Sequence, residues 1–111
     1  MADITKQSYE EFRIDVDFGL NMVDGEALVL NNCTIICIDK DGTDVSATLL
    51  DIGTKVLIEG TESGITDAGL QVVIKGGSEA AEPYKYTFKG ETDLNPSNKW
   101  EKDVTMRIRE R

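Results

Sequence analysis

The chain has 111 residues, 40% of them hydrophobic and 30% charged, with a formal net charge of −9 at pH 7. That length suits one domain burying roughly 65% of its unfolded surface, enough for a core without disulfides or metal, and the composition is globular rather than disordered. The acidic balance argues against binding nucleic acid by phosphate neutralisation and against adsorption to an anionic membrane surface.

Residues 1–8 read as a polar N-terminal tail, loosely held, with the domain running from 9 to 111. No basic segment followed by an apolar run opens the chain, so no signal peptide is expected. No apolar run is long enough to span a bilayer. Residues 10–18 then alternate. Phe12, Ile14, Val16 and Phe18 fall on one side and Glu11, Arg13, Asp15 and Asp17 on the other, the pattern of a half-buried first strand. Asp24-Gly25 marks a turn, and Leu20 and Met22 are placed over the end of the core.

Residues 27–39 are the most apolar stretch, divided by Asn31-Asn32. Residues 27–30 are expected as a short strand or the approach to one. Residues 33–38, rich in β-branched side chains, are expected as a central strand. In an extended strand Cys33 and Cys37 lie ~13 Å apart, beyond the ~7 Å that a disulfide bridges. They read as buried free thiols behaving as small hydrophobes, which fits a reducing compartment of synthesis. With no histidine and no further cysteine they lack partners for a metal. Asn32-Cys33-Thr34 matches a glycosylation acceptor, a match read as accidental without a secretion signal.

Asp41-Gly42 between two strand-like runs predicts a hairpin turn. Asp39, Asp41 and Asp44 faintly resemble a calcium loop, but the third ligand before the glycine and the closing glutamate are missing. Residues 45–50 alternate as a third strand, 55–59 form a fourth, and 70–75 a fifth after a mobile polar connection at 60–69. In 84–91, Tyr84, Tyr86 and Phe88 alternate with Lys85, Thr87 and Lys89. In 100–109, Val104, Met106 and Ile108 alternate with Asp103, Thr105, Arg107 and Arg109. With a turn-rich stretch between them, these two segments predict an antiparallel ribbon with one apolar face that needs a cover. Tyr84, directly after Pro83, stands where immunoglobulin-like folds place a corner tyrosine whose hydroxyl bonds a nearby backbone group. About seven short strands and no helix longer than one turn predict an all-β, immunoglobulin-like two-sheet antiparallel sandwich.

Reaction chemistry is absent from this pattern. Without histidine there is no Ser-His or Cys-His pair, the carboxylates sit at strand-exterior positions, and Gly76-Gly77 lacks the rest of a phosphate-cradling loop. No catalytic, cofactor-binding or metal-ligating residue is expected. Most aromatics fall on the apolar phase of a strand and read as core. Residues 1–99 carry a net charge of −10 and residues 100–111 of +1. Candidate contact groups are Trp100, the Arg107/Arg109/Arg111 stripe and an exposed acidic face at Asp15/Asp17. Opposite fields on two surfaces favour head-to-tail or ring assembly.

The opening Tyr9-x-x-Phe12-x-Ile14 with Asp17-Phe18, the Gly25-Glu26 pair and the segment from Gly42 to Ser46 form one set of motifs. The closing Tyr84-Lys85-Tyr86-Thr87-Phe88-Lys89, the Thr92 loop and the ending Arg107-Ile108-Arg109-Glu110 form another. Over residues 9–110 the chain resembles small phage and prophage immunoglobulin-like structural proteins. Glu79-Ala80-Ala81-Glu82-Pro83 and Asn95-Pro96-Ser97-Asn98 depart from the shorter turns of the commoner form. The resemblance implies a non-enzymatic virion protein near the tail or neck, assembled in the bacterial host cytoplasm, whose partners are other virion proteins or copies of itself. The alternative is a β-sandwich binding module for glycan or calcium.

Overall fold

The computed structural model describes residues 2–23 and 25–110. Seven strands form two sheets: β1 (Ala2–Lys6), β2 (Phe12–Asp17), β3 (Thr34–Ile38), β4 (Leu50–Ile58), β5 (Gly69–Ile74), β6 (Tyr84–Glu91) and β7 (Lys99–Ile108). One sheet has the order β1-β7-β6-β3 and the other β2-β5-β4. All neighbours are antiparallel except β1, which lies parallel to β7 with Ala2 opposite Val104 and Lys6 opposite Ile108. Strands two, five and four facing strands three, six and seven is the immunoglobulin-like sandwich, two open sheets rather than a closed barrel.

The ribbon forms as its alternation dictates, Tyr84 to Glu91 against Lys99 to Met106. Tyr86, Phe88, Met106 and Ile108 are fully buried, and they meet Phe18, Leu70, Val72 and Ile74 from the opposite sheet. Each such side chain contributes ~1.5–3 kcal/mol by leaving water. Both thiols are free and buried within this core. The Tyr86 hydroxyl donates to the Leu49 carbonyl at 3.2 Å. Tyr84 takes the corner role: its hydroxyl oxygen accepts the Ser78 N–H at 3.0 Å. The Asp41-Gly42 turn forms too, with Gly42 at φ +83° and its N–H on the Asp39 carbonyl.

Several expectations give way to tertiary pairing. The supposed tail at 1–8 contains β1, whose Lys6 is 2% exposed and donates to the carbonyls of Gln7 and Ser8 at 2.7 and 3.3 Å. Burial lowers the Lys6 pKa, against the opposing pull of Glu10, Glu110 and Glu11. Residues 45–50 are not a strand. Ser46–Leu49 form a single helical turn, α1, because the Ser46 hydroxyl accepts the Cys37 N–H at 2.8 Å while Asp44 accepts the Ser46 N–H at 2.9 Å. The strand beyond it, β4, is longer than expected and breaks register between Asp51 and Val56. At the break the Thr54 hydroxyl accepts from Val73 N–H and donates to Asp51 O, replacing the lost ladder bond. Finally β3 lies at a sheet edge, not in the centre. Lys55 Nζ caps its Cys33 carbonyl at 2.7 Å, and Val45 N–H and the Ser46 hydroxyl cap Cys37. Lysine and hydroxyl caps of this kind blunt an edge against further pairing.

Candidate functional site

Because β1 pairs only with Val104–Ile108, the opposite half of β7 has no described strand on that side. Beside it opens a cleft of about 570 Å³ between β7 and the edge strand β2. Asp15, Val16 and Asp17 line it from β2, Thr61 and Glu62 from the β4–β5 loop, and Glu101, Lys102, Asp103 and Val104 from β7. Two of the six residues proposed as contact groups therefore meet here.

Asp17 is 8% exposed, which corrects the exposed acidic face. It shares strand parity with Arg13 and Asp15, but the 59–68 loop folds over it. Oδ1 accepts from Gly19 N–H at 2.7 Å and from the Ser63 hydroxyl at 2.9 Å. Oδ2 accepts from Glu62 N–H at 3.0 Å and Ser63 N–H at 2.6 Å. Burial pushes this carboxyl up, yet the donors on Ser63, Gly19 and Glu62 outweigh it and hold it below the usual carboxylate range. The loop expected to be mobile is thereby pinned. Asp15 is half-buried and accepts the Thr61 hydroxyl at 3.4 Å. On the β7 wall, Asp103 accepts the Thr87 hydroxyl at 2.9 Å and Glu101 is exposed.

Lys102 closes the floor. Its ammonium donates to the Asp17 carbonyl at 2.7 Å and stands 5.8 Å from the centre of the Phe18 ring. This residue was missed in the sequence, although a lysine on the same strand phase as Val104, Met106 and Ile108 was the available signal. Glu26 was missed as well. It is 2% exposed and accepts Val23 N–H and the Asn98 side-chain amide, both at 2.9 Å, tying two loops at one end of the sandwich. The sequence singled it out only within the Gly25-Glu26 motif, with no burial or role attached.

The remaining contact candidates lie elsewhere. Trp100 is half-buried, packs on the core, and also lines a hollow of about 340 Å³ with Asn32, Thr34, Lys89 and Glu91. Arg107 is exposed. Arg109 is not free: its guanidinium pairs with Glu82 and donates to the Ile108 carbonyl at 2.8 Å. Arg111 lies outside the described residues.

Each carboxyl held below its usual range accepts a backbone N–H of its own fold. Beyond Asp17 these are Glu26, where burial is outweighed by Thr92, Val23 and Asn98; Asp44, through the Ser46 hydroxyl and N–H; Glu82, through Arg109 and Ile108 N–H; and Glu110, through Ser8. Such groups are anchored anions, ill-suited to donate a proton near neutrality. Asp39 accepts Asp41 and Thr43 N–H at 2.9 and 3.0 Å, so its Oδ1 already serves the turn. Among the described residues no three His, Cys, Asp or Glu side chains converge as a metal cage would need.

No protein-family model matches the chain, and no curated protein does. Solved structures similar to it include murine CRIg, 14% identical, with 99% of this chain and 94% of that chain covered and a TM-score of 0.49. Another is a chain from the complex of Dpr2 Ig1-Ig2 with DIP-Theta Ig1-Ig3, 11% identical, with 97% and 44% covered and a TM-score of 0.38. This chain thus spans less than half the length of the latter. Neither likeness bears on activity or partners; the immunoglobulin-like assignment stands on strand order and register.

Proposed function

We propose that the chain is a non-enzymatic structural module acting through protein–protein contacts, part of or accessory to a phage or prophage virion near its tail or neck. The supporting observation is the cleft at β7. It combines charged walls with a floor closed by Lys102 and Phe18, which suits docking and not a reaction chamber. The virion assignment rests on the resemblance of residues 9–110 and places assembly in the host cytoplasm.

Sedimentation velocity over a concentration series at low and high salt tests the contact reading, with Arg107→Glu alongside. Association that weakens with salt and with this exposed substitution is the expected result. A chain that stays monomeric at every concentration, and is retained by no neighbouring gene product, sinks it. Flanking terminase, portal or tail genes support the virion assignment, and a setting without virion genes removes it. A melting temperature raised by millimolar calcium or by a member of a glycan panel moves the chain to the binding-module class instead.

A further inference from the structure

We infer that the loop end of one copy docks, with Leu20 as its anchor, onto the outer face of β3 and β6 of a second copy, around Ile36. This rests on the contact-module reading and names the partner as the same chain. Three observations lead to it.

The first is the loop end. Residues 18–33, 59–68 and 92–98 connect the strands there, and they carry six acidic residues and no lysine or arginine. Leu20 is 72% exposed on the short turn Gly19–Asn21. A Cβ on Gly19 or on Gly60 would strike Ser63 and Asp17, so both glycines pack on the same atoms and Leu20 rises beside the exposed Glu59 and Glu62. The bonds from Glu62 and Ser63 N–H to Asp17 fix this group in place, so docking has little left to order. The second is the face. Ile36 lies opposite Thr87 in register, so Lys85 and Lys89 flank it diagonally from β6. Ile36 is 38% exposed, and both lysines are exposed. Among the described residues neither lysine is in an ion pair, although Glu101 stands opposite Lys89 in register. Arg107 shares this face, diagonal to Lys85. The third is charge. On one surface an apolar side chain sits between two carboxylates, and on the other between two ammonium groups. Two loop ends repel each other, and so do two such faces, whereas one attracts the other. The contact is therefore heterologous, and it repeats from copy to copy into a ring or a filament.

The test is sedimentation velocity of the full chain at low and high salt, taken up to ~0.5 mM because contacts below ~1,200 Å² are weak. It compares the wild type, Leu20→Ser, Lys85→Glu/Lys89→Glu, and an equimolar mixture of the two variants. All three positions are exposed, and circular dichroism checks that both variants fold. Glu59→Gln/Glu62→Gln and Lys85→Gln/Lys89→Gln stand in should either unfold. Expected are wild-type association that weakens with salt, at least tenfold weaker association of each variant alone, and recovery in the mixture as a 1:1 heterodimer that grows no further. In that heterodimer the intact loop end of the lysine variant sits on the intact face of the serine variant, and the remaining two surfaces are both broken. A wild type monomeric throughout overturns the inference. So does either variant associating as the wild type does, or a mixture that associates no more strongly than its parts. Association indifferent to both variants keeps the contact reading and discards this one, as does a monomer that a neighbouring gene product retains.

Discussion

Replacing Asp17 by alanine removes one acceptor that holds four hydrogen bonds. The Glu62 and Ser63 amides lie in a loop that water reaches, so each counts at a net ~1 kcal/mol. The Gly19 N–H is buried and left without its acceptor, and the whole change costs about 3 kcal/mol. With about 2.1 cal/mol/K of unfolding entropy per residue, that lowers Tm by about 13 °C. Asp17→Asn is the control. With its amide nitrogen at the Oδ1 position it still accepts Glu62 and Ser63 N–H, and the Ser63 hydroxyl turns to accept, so only the Gly19 bond is lost and the cost falls to ~1–1.5 kcal/mol. Urea and thermal unfolding followed by circular dichroism at pH 7 measure both variants. The pH dependence carries the same argument. The folded carboxyl lies below its unfolded value of 3.8, so its contribution is complete above that value and is lost as pH falls through the lower folded value. The stability gap between wild type and Asp17→Asn is therefore flat from neutrality to about pH 5 and closes in stronger acid. An alanine variant within 1 kcal/mol of wild type, or an asparagine variant equally damaged, refutes the reasoning.

Tyr84→Phe strands the Ser78 N–H at the corner and costs ~1 kcal/mol in urea unfolding; a variant as stable as wild type removes the corner's role. Gly90→Ala places a Cβ 3.0 Å from both Leu28 Cδ2 and Phe18 Cε2, and overpacking there costs about 1–3 kcal/mol, read as a lowered urea midpoint with unchanged m. Burial pushes the Cys37 thiol up to about 12, with the Asp44 and Asp39 charges adding to it against the Tyr86 hydrogen bond. Thiol labelling at pH 8 should therefore leave the native chain unmodified and reach both cysteines only in denaturant; stoichiometric labelling of folded protein contradicts the packing.

Period-two alternation was enough to read the ribbon and the inward phase of β2 and β5, because one face to oil and one to water does not depend on what covers it. The Gly42 turn was legible from Asp41-Gly42, the unpaired thiols from their spacing, and the corner from Tyr84 following Pro83. Where two local patterns compete, the sequence is silent. Val45, Ala47 and Leu49 alternate as a strand does, yet the Ser46 hydroxyl serves the β3 edge and the backbone closes into α1. Lys6 and Asp17 look like solvent residues until their charges meet backbone partners contributed by the Gln7–Ser8 turn and by a loop some 45 positions away. The cleft depends on more distant relations still. Lys102 reaches across 85 residues of sequence to Asp17. Which strands come to line one cleft is a property of the paired sheets and not of any one segment.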